Sequence, residues 1–290
     1  MSEPHSTPGF PDINRLRIAT AATPTPVRTF KYEGLSKYTA LVYRYLHSDV
    51  KILKFLRVSA DEFSILSLEE SGPLKSARLS YNSFTEILHV RMPSNRHESL
   101  NGLFRSLIDR QLFSMSIANE VSCQSSPSVE IRNWTKEPDS CWLPENKDDP
   151  FVVLEVGASE TTTHLATSAR RWIDTPGSTV LACISIKVRP DNDLVIDVWK
   201  RGKGTHDLTS GNVDAPAIRR QHIEITNSTP GPQVHGWKLE ENWRVVSTDE
   251  ILLEFSSFVG RPADNDGEHD ILLDRSLLIG LATRFFDRQA

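Results

Sequence analysis

Hydrophobic and polar positions along this chain follow two periods, and the changes between them mark out its elements. Over residues 34–46, GLSKYTALVYRYL sets Leu35, Tyr38, Leu41, Val42 and Tyr45 at helical spacing, which predicts a helix. The short apolar runs 51–58 and 62–68 fit either strand or helix. In SARLSYNSFTEILHVRMP (76–93), the alternation through Phe84, Ile87 and Val90 predicts strands around a polar turn at Asn82-Ser83, and Pro93 ends the pairing. The clearest helix follows, with Leu100, Leu103, Phe104, Leu107, Ile108 and Leu112 on one stripe. Ser94 or Asn95 can cap it, and Glu98 falls in its first turn, where the helix dipole favours an acid.

Beyond a serine-rich stretch at 122–128, read as a loop, SVEIRNW (128–134) alternates as a strand, and PDSCWLP (138–144) could pair back on it as a hairpin. In PFVVLEVGASE (150–160), Phe151 to Leu154 read as a buried strand, and Gly157 ends it. Ser159 or Thr161 can cap the next helix, whose apolar stripe is Leu165, Ala166, Ala169, Trp172 and Ile173 and whose stop is Pro176-Gly177. STVLACISIKV (178–188) is apolar at nearly every position, as suits a strand covered on both faces. DLVIDVWKR (193–201), QHIEITN, WRVV and EILLEF read as further strands, and SLLIGLATRFF as a final helix. The strand–helix–strand order between 151 and 188 makes those two strands parallel neighbours. The fold class is therefore mixed α/β. Residues 1–28, rich in Pro, Thr and Ser without periodicity, read as a disordered tail, and 29–290 as one domain.

Composition narrows the class. With 38% hydrophobic and 24% charged residues, the chain reads as a soluble globular protein, and no apolar run is long enough for a membrane helix. The opening MSEPHSTPGFPDIN lacks the apolar stretch of a signal peptide. Cys123, Cys141 and Cys183 are odd in number and show no C-x-x-C spacing, which points away from disulfides or zinc and towards a reducing compartment, cytoplasm or nucleus. A net charge of -5 argues against a broadly basic nucleic-acid surface but leaves room for a local basic groove. Residues 170–203 contain Arg170, Arg171, Lys187, Arg189, Lys200, Arg201 and Lys203, and acids gather towards the C-terminus; the simpler reading of both groups is solvated faces.

The chemistry lies in the carboxylates. An isolated buried acid is costly, so Glu155, inside an apolar strand, calls for a partner, a proton or a metal ion. Asp139 follows Pro138 at the start of the preceding strand, 16 positions earlier. If the strands are neighbours, two carboxylates converge, a hard oxygen set suited to Mg²⁺ or Mn²⁺. Glu98 could add a third, although it lies roughly 130° from the centre of its helix's apolar stripe. The Pro138-Asp139 pair, the gap, and the apolar strand ending in Glu155 resemble the PD-(D/E)XK restriction-endonuclease-like superfamily. The order of helix, three strands, helix and strand is similar to its core, here about residues 85–190, with 191–290 as an elaboration. More narrowly, MPSNRHE, EPDSCWLP, FVVLEVGASE, ARRWI and FVGRP resemble a group of fungal proteins similar to bacterial restriction-endonuclease domains.

That resemblance implies a Mg²⁺-dependent nuclease or phosphodiesterase acting on DNA or RNA, with Glu98, Asp139 and Glu155 as metal ligands and Asp139, Glu155 and a lysine as catalytic groups. The superfamily places its lysine two positions after the strand Glu, and here that position is Gly157. Lys187 is the leading substitute, with Arg170 and Arg171 as others. The alternative expectation is a nuclease-like fold that no longer cleaves and serves binding or assembly, and an exposed strand edge could support a homodimer. Simpler readings stand beside each residue: Glu155 paired with Arg170 or Arg171, Asp139 a turn residue, Glu98 a dipole residue, Ser159 and Glu160 cap and first-turn residues. His89, His97 and His164 read as structural or surface residues, and Trp134, Trp142 and Trp172 as core.

Overall fold

The structure is a computed structural model that describes residues 26–46, 48, 50–68, 77–158, 160–202, 216–227, 243–246 and 250–288. Two main sheets carry the chain, and the mixed α/β class is as expected. The first is assembled from β1 (Val27–Lys31), β2 (Ile52–Leu56), β3 (Arg78–Asn82), β4 (Ile87–Arg91), β6 (Val129–Ile131) and β7 (Trp134–Lys136), in the order β1-β2-β4-β3-β7-β6. Helix α1 (Leu35–Tyr45) and the short α2 (Ala60–Leu68) belong to this half, where Tyr38, Val42, Phe55, Phe63, Tyr81 and Leu88 share a core.

The second sheet has seven strands. It joins β5 (Val121–Gln124), β8 (Ser140–Pro144), β9 (Val152–Gly157), β10 (Ala182–Val188), β11 (Leu194–Arg201), β12 (Ala217–Asn227) and β13 (Trp243–Val245), in the order β13-β12-β11-β10-β9-β8-β5. Strands β9 and β10 are parallel, as the crossover helix α4 (Thr162–Asp174) requires, and β8 lies antiparallel to β9. Helices α3 (Asn95–Ser114), α5 (Phe255–Val259) and α6 (Arg275–Asp287) cover one face with the ribbon β14 (Ile251–Leu253) and β15 (Ile271–Leu273); α4 covers the other. Both edges of the ribbon are completed by an amide side chain acting as a strand. Gln111 exchanges two hydrogen bonds with the Leu272 backbone, and Gln221 does the same with Leu252.

The central strands are buried on both faces, and their period of two explains the acid in the apolar run. Val152, Leu154 and Val156 point into the α3 side, whereas Val153, Glu155 and Gly157 face α4. The same alternation puts Ser185 and Asp197 on the α4 face. Register aligns Glu155 with Ser185, Ser185 with Asp197, and Asp197 with His222, so a polar row crosses four strands.

Several expectations are corrected. The supposed loop at 122–128 begins with β5, whose backbone pairing with β8 outweighs its polar composition. The run 128–134 is not one strand: Arg132, at φ 55, turns the chain into a β6–β7 hairpin that joins the first sheet. Residues 138–144 pair with β9 and β5 instead of folding back on 128–134. The three core strands between the two main helices are therefore β5, β8 and β9. Phe84 is an exposed turn residue, 83% accessible, and Phe255 opens α5 rather than ending a strand. The tail assigned to 1–28 falls mostly outside the described residues, and Val27 and Arg28 already belong to β1. Among the described residues no helix is long and apolar enough to cross a membrane.

Candidate functional site

The acids expected to converge do so where the two sheets meet. Asp139 sits one residue before β8; its amide donates to the Leu154 carbonyl at 3.1 Å, and its Oδ2 accepts from the Val156 amide at 2.7 Å. Asp139 and Glu155 are 0% and 1% exposed, so each must be compensated. The compensation crosses between sheets: the acids belong to the seven-stranded sheet and its β9–α4 loop, while Arg78, Arg91 and Lys136 come from β3, β4 and β7 of the other.

Arg91 is the hub. One Nη reaches Asp139 Oδ1 at 2.6 Å and Glu155 Oε2 at 3.5 Å, and the other reaches Glu160 Oε1 at 3.3 Å. Lys136 Nζ lies 2.5 Å from Glu155 Oε1 and also donates to Ser168 Oγ of α4. Trp172 completes that oxygen with an indole N–H at 2.6 Å. Helix α3 approaches from the opposite side: Ser94 caps it by accepting from the His97 amide. One turn brings His97 Nε2 to 2.9 Å from Asp139 Oδ2, and the next brings the Asn101 amide to the Asp139 carbonyl at 3.1 Å. Asn101 also accepts from Ser140.

Charge balance follows from this wiring. Burial opposes the ionisation of Asp139, but Arg91 and His97 overrule it and hold the carboxyl well below the usual range. Glu160 is likewise opposed by burial yet held at about 2 by Arg91 and His164. Burial would depress His97, but the charge and hydrogen bond of Asp139 raise it to about 9, so the imidazole is cationic near neutrality.

Lys187 is aligned across from Gly157 and nearly buried, but its Nζ donates to the Ala158 carbonyl at 3.1 Å and contacts neither acid. Burial lowers its pKa. Glu98 is half exposed; it pairs with Arg78 at 2.8 Å and approaches His97 Nδ1 at 3.5 Å, so it meets Asp139 only through those residues. Arg170 and Arg171 do not pair with Glu155: Arg170 lies over Trp199 and Arg171 over Trp134. Thr161 caps α4. A Cβ at position 157 would sit 3.1 Å from Leu165 Cδ2, so a side chain there would require Leu165 to shift by a few tenths of an ångström.

Sequence reasoning missed Arg91, Lys136 and His97. Arg91 lies 48, 64 and 69 positions from the acids it joins. The one available signal was local: Lys136 and Trp134 share a face of the strand just before Pro138-Asp139.

A divalent ion bridging Asp139 and Glu155 does not fit this arrangement. Three of their four oxygens are taken by close donors, the guanidinium of Arg91 stands in the gap, and Mg²⁺ sheds its water reluctantly. Among the described residues no cluster of three or more His, Cys, Asp or Glu is arranged to hold a metal ion. Beside the cluster, a cavity of about 200 Å³ opens between the first sheet and α4.

Fold and site together define a mixed α/β protein with a buried acid–cation cluster locking two sheets. No family model matches the chain, and no curated protein matches it. Among solved structures, the chain is similar to a "putative nuclease belonging to DUF820" from Anabaena variabilis, at 12% identity and a TM-score of 0.44. The alignment covers 78% of this chain and 99% of that one.

Proposed function

We propose that this protein is a nuclease-like fold that binds without cleaving, its acidic pair held by fixed protein cations in place of a metal ion. The observation that carries this reading is the placement of Arg91 between Asp139, Glu155 and Glu160. A guanidinium neutralises the acids as a metal would, but it neither activates water nor offers an open coordination position. The partner expected from the sequence, DNA or RNA, is retained as a proposal for the surface around this cluster.

One observation favours a second reading. Lys136, at 2.5 Å from Glu155, would serve in that reading as the lysine missing at position 157. In that reading Asp139 and Glu155 would hold Mg²⁺ or Mn²⁺, which would supply Lewis-acid stabilisation of a phosphodiester, and Arg91 would have to withdraw. Titration calorimetry with Mn²⁺ on wild type and Glu155→Ala separates the two, followed by incubation with single- and double-stranded DNA and RNA. No Glu155-dependent metal binding and no cleavage are expected. Glu155-dependent binding accompanied by cleavage would replace the first reading with the second.

A further inference from the structure

The cavity beside the cluster has a chemistry that the acid–cation wiring does not use. Its first wall is apolar, built by Val27, Ile52 and Leu79 of the first sheet, and Trp134 continues it. The second wall is one polar face of α4, where His164, Ser168 and Arg171 recur at intervals of four and three residues. The opposite face of the same helix buries Leu165, Ala169 and Ile173. A helix with that division presents its polar face to the cavity by construction.

The charges lining the cavity are unequal. Of the four Arg and Lys side chains that line it, Arg78 also pairs with Glu98 and Arg91 with Asp139, acids outside the lining, and Lys136 pairs with Glu155. Glu155 and Glu160 are already paired with Lys136 and Arg91. The third acid, Glu137, has its pKa raised by burial, against the pull of the Leu79 amide and of Arg78 and Arg91. Arg171 makes no ion pair among the described residues; its guanidinium lies 5.9 Å from the Trp134 ring centroid. His89 also lines the cavity, where burial first, and then Lys54, His164 and Arg171, push its imidazole down to about 4.

We propose that this cavity is a binding site for a small organic anion with a flat, apolar body, its charged end seated by Arg171 and Ser168 and its ring lying against Trp134. Size, shape and charge agree on that class. About 200 Å³ lies below the usual range for drug-sized ligands and excludes a duplex. An aromatic body stacks on an indole or guanidinium plane, and a phosphate or carboxylate takes paired donors from arginine with a hydroxyl beside them. The inference rests on the non-cleaving reading in one respect, that Lys136 and Arg91 stay on their acids when the ligand enters.

The test is calorimetry on the full chain with phenyl phosphate, with inorganic phosphate as the charge-only control and phenol as the ring-only control. Phenyl phosphate should bind at least tenfold more tightly than either control. Arg171→Ala should weaken it at least tenfold, and Trp134→Ala should remove its advantage over inorganic phosphate. Arg171 is exposed, so circular dichroism should show that variant folded as wild type; Arg171→Lys, which keeps the charge, should recover part of the affinity. No heat with any probe, or equal binding of phenyl phosphate and phosphate, overturns the proposal, as does insensitivity to Arg171. A Mn²⁺ titration of the same preparation keeps the two readings apart. Glu155-dependent metal binding accompanied by cleavage sinks the non-cleaving reading, whereas loss of phenyl phosphate binding alone sinks only the ligand.

Discussion

Replacing Arg91 with Met asks whether the cluster is held by charge balance. The side chain is 15% exposed and touches Asp139, Glu155 and Glu160 at 2.6, 3.5 and 3.3 Å, so Arg91→Met leaves three acids in low dielectric around an apolar chain. Breaking a buried ion pair by removing one partner typically costs about 3–5 kcal/mol. Asp139 keeps His97 and the Val156 amide, and Glu155 keeps Lys136 and Trp172, which places the loss near the lower end, about 3 kcal/mol. On a urea slope of about 2–3 kcal/mol/M the unfolding midpoint should fall by about 1–1.5 M. Adding Asp139→Asn removes the charge that Arg91 balanced, while the amide oxygen can still accept from Val156. The double variant should therefore be more stable than Arg91→Met alone, a coupling of about 1–3 kcal/mol. Urea denaturation of all four proteins measures both quantities. A loss below about 1 kcal/mol for Arg91→Met, or strict additivity in the double variant, would refute the argument that this guanidinium is the balancing charge.

Three further outcomes follow from the same geometry. His97 is raised to about 9 from an ordinary value near 6.5, so its contribution is full below about pH 6.5 and is lost as pH rises through 9. Wild-type stability should decline across that window by on the order of 3 kcal/mol, and His97→Gln should flatten the decline in urea midpoints measured from pH 6 to 10. Gly157→Lys should create no cleavage, because Arg91 would still stand between the acids; hydrolysis of DNA or RNA by that variant would contradict the argument that a fixed cation holds the place of the metal. Gln111→Ala should cost about 1–2 kcal/mol by undoing two hydrogen bonds to Leu272, and hydrogen exchange should rise at the Leu272 amide while that of Leu253 holds.

Much of the site's acid half was legible in the chain. The run ending in Glu155 and the following amphipathic helix called for a parallel crossover, which β9, α4 and β10 supply, while the convergence of Asp139 with Glu155 was conditional on adjacent strands, which β8 and β9 are. The apolar stripe of α3 and its Ser94 cap were equally local, since helical spacing and capping are written within one turn. The cation half was not legible. Arg91 and Lys136 sit on short strands of a separate sheet; apart from the strand face that Lys136 shares with Trp134, nothing in their local pattern marks them. Only the packing of one sheet against the other brings their charges within about 4 Å of the acids, and at that distance in a buried site the ionic partner decides the chemistry.

The same division holds for the strands. Sequence by itself determined where β9 and β10 lie and that they are buried on both faces, because continuous apolar runs admit little else. It could not determine that β6 and β7 leave for the other sheet, since a three-residue strand carries too little pattern and the turn at Arg132 depends on what the hairpin packs against. The carboxylates were fixed by local sequence, which demanded a partner for Glu155. The identity of that partner, Lys136 and Arg91 rather than an arginine of the next helix, was decided by tertiary structure, because electrostatic pairing follows distance in space and not along the chain.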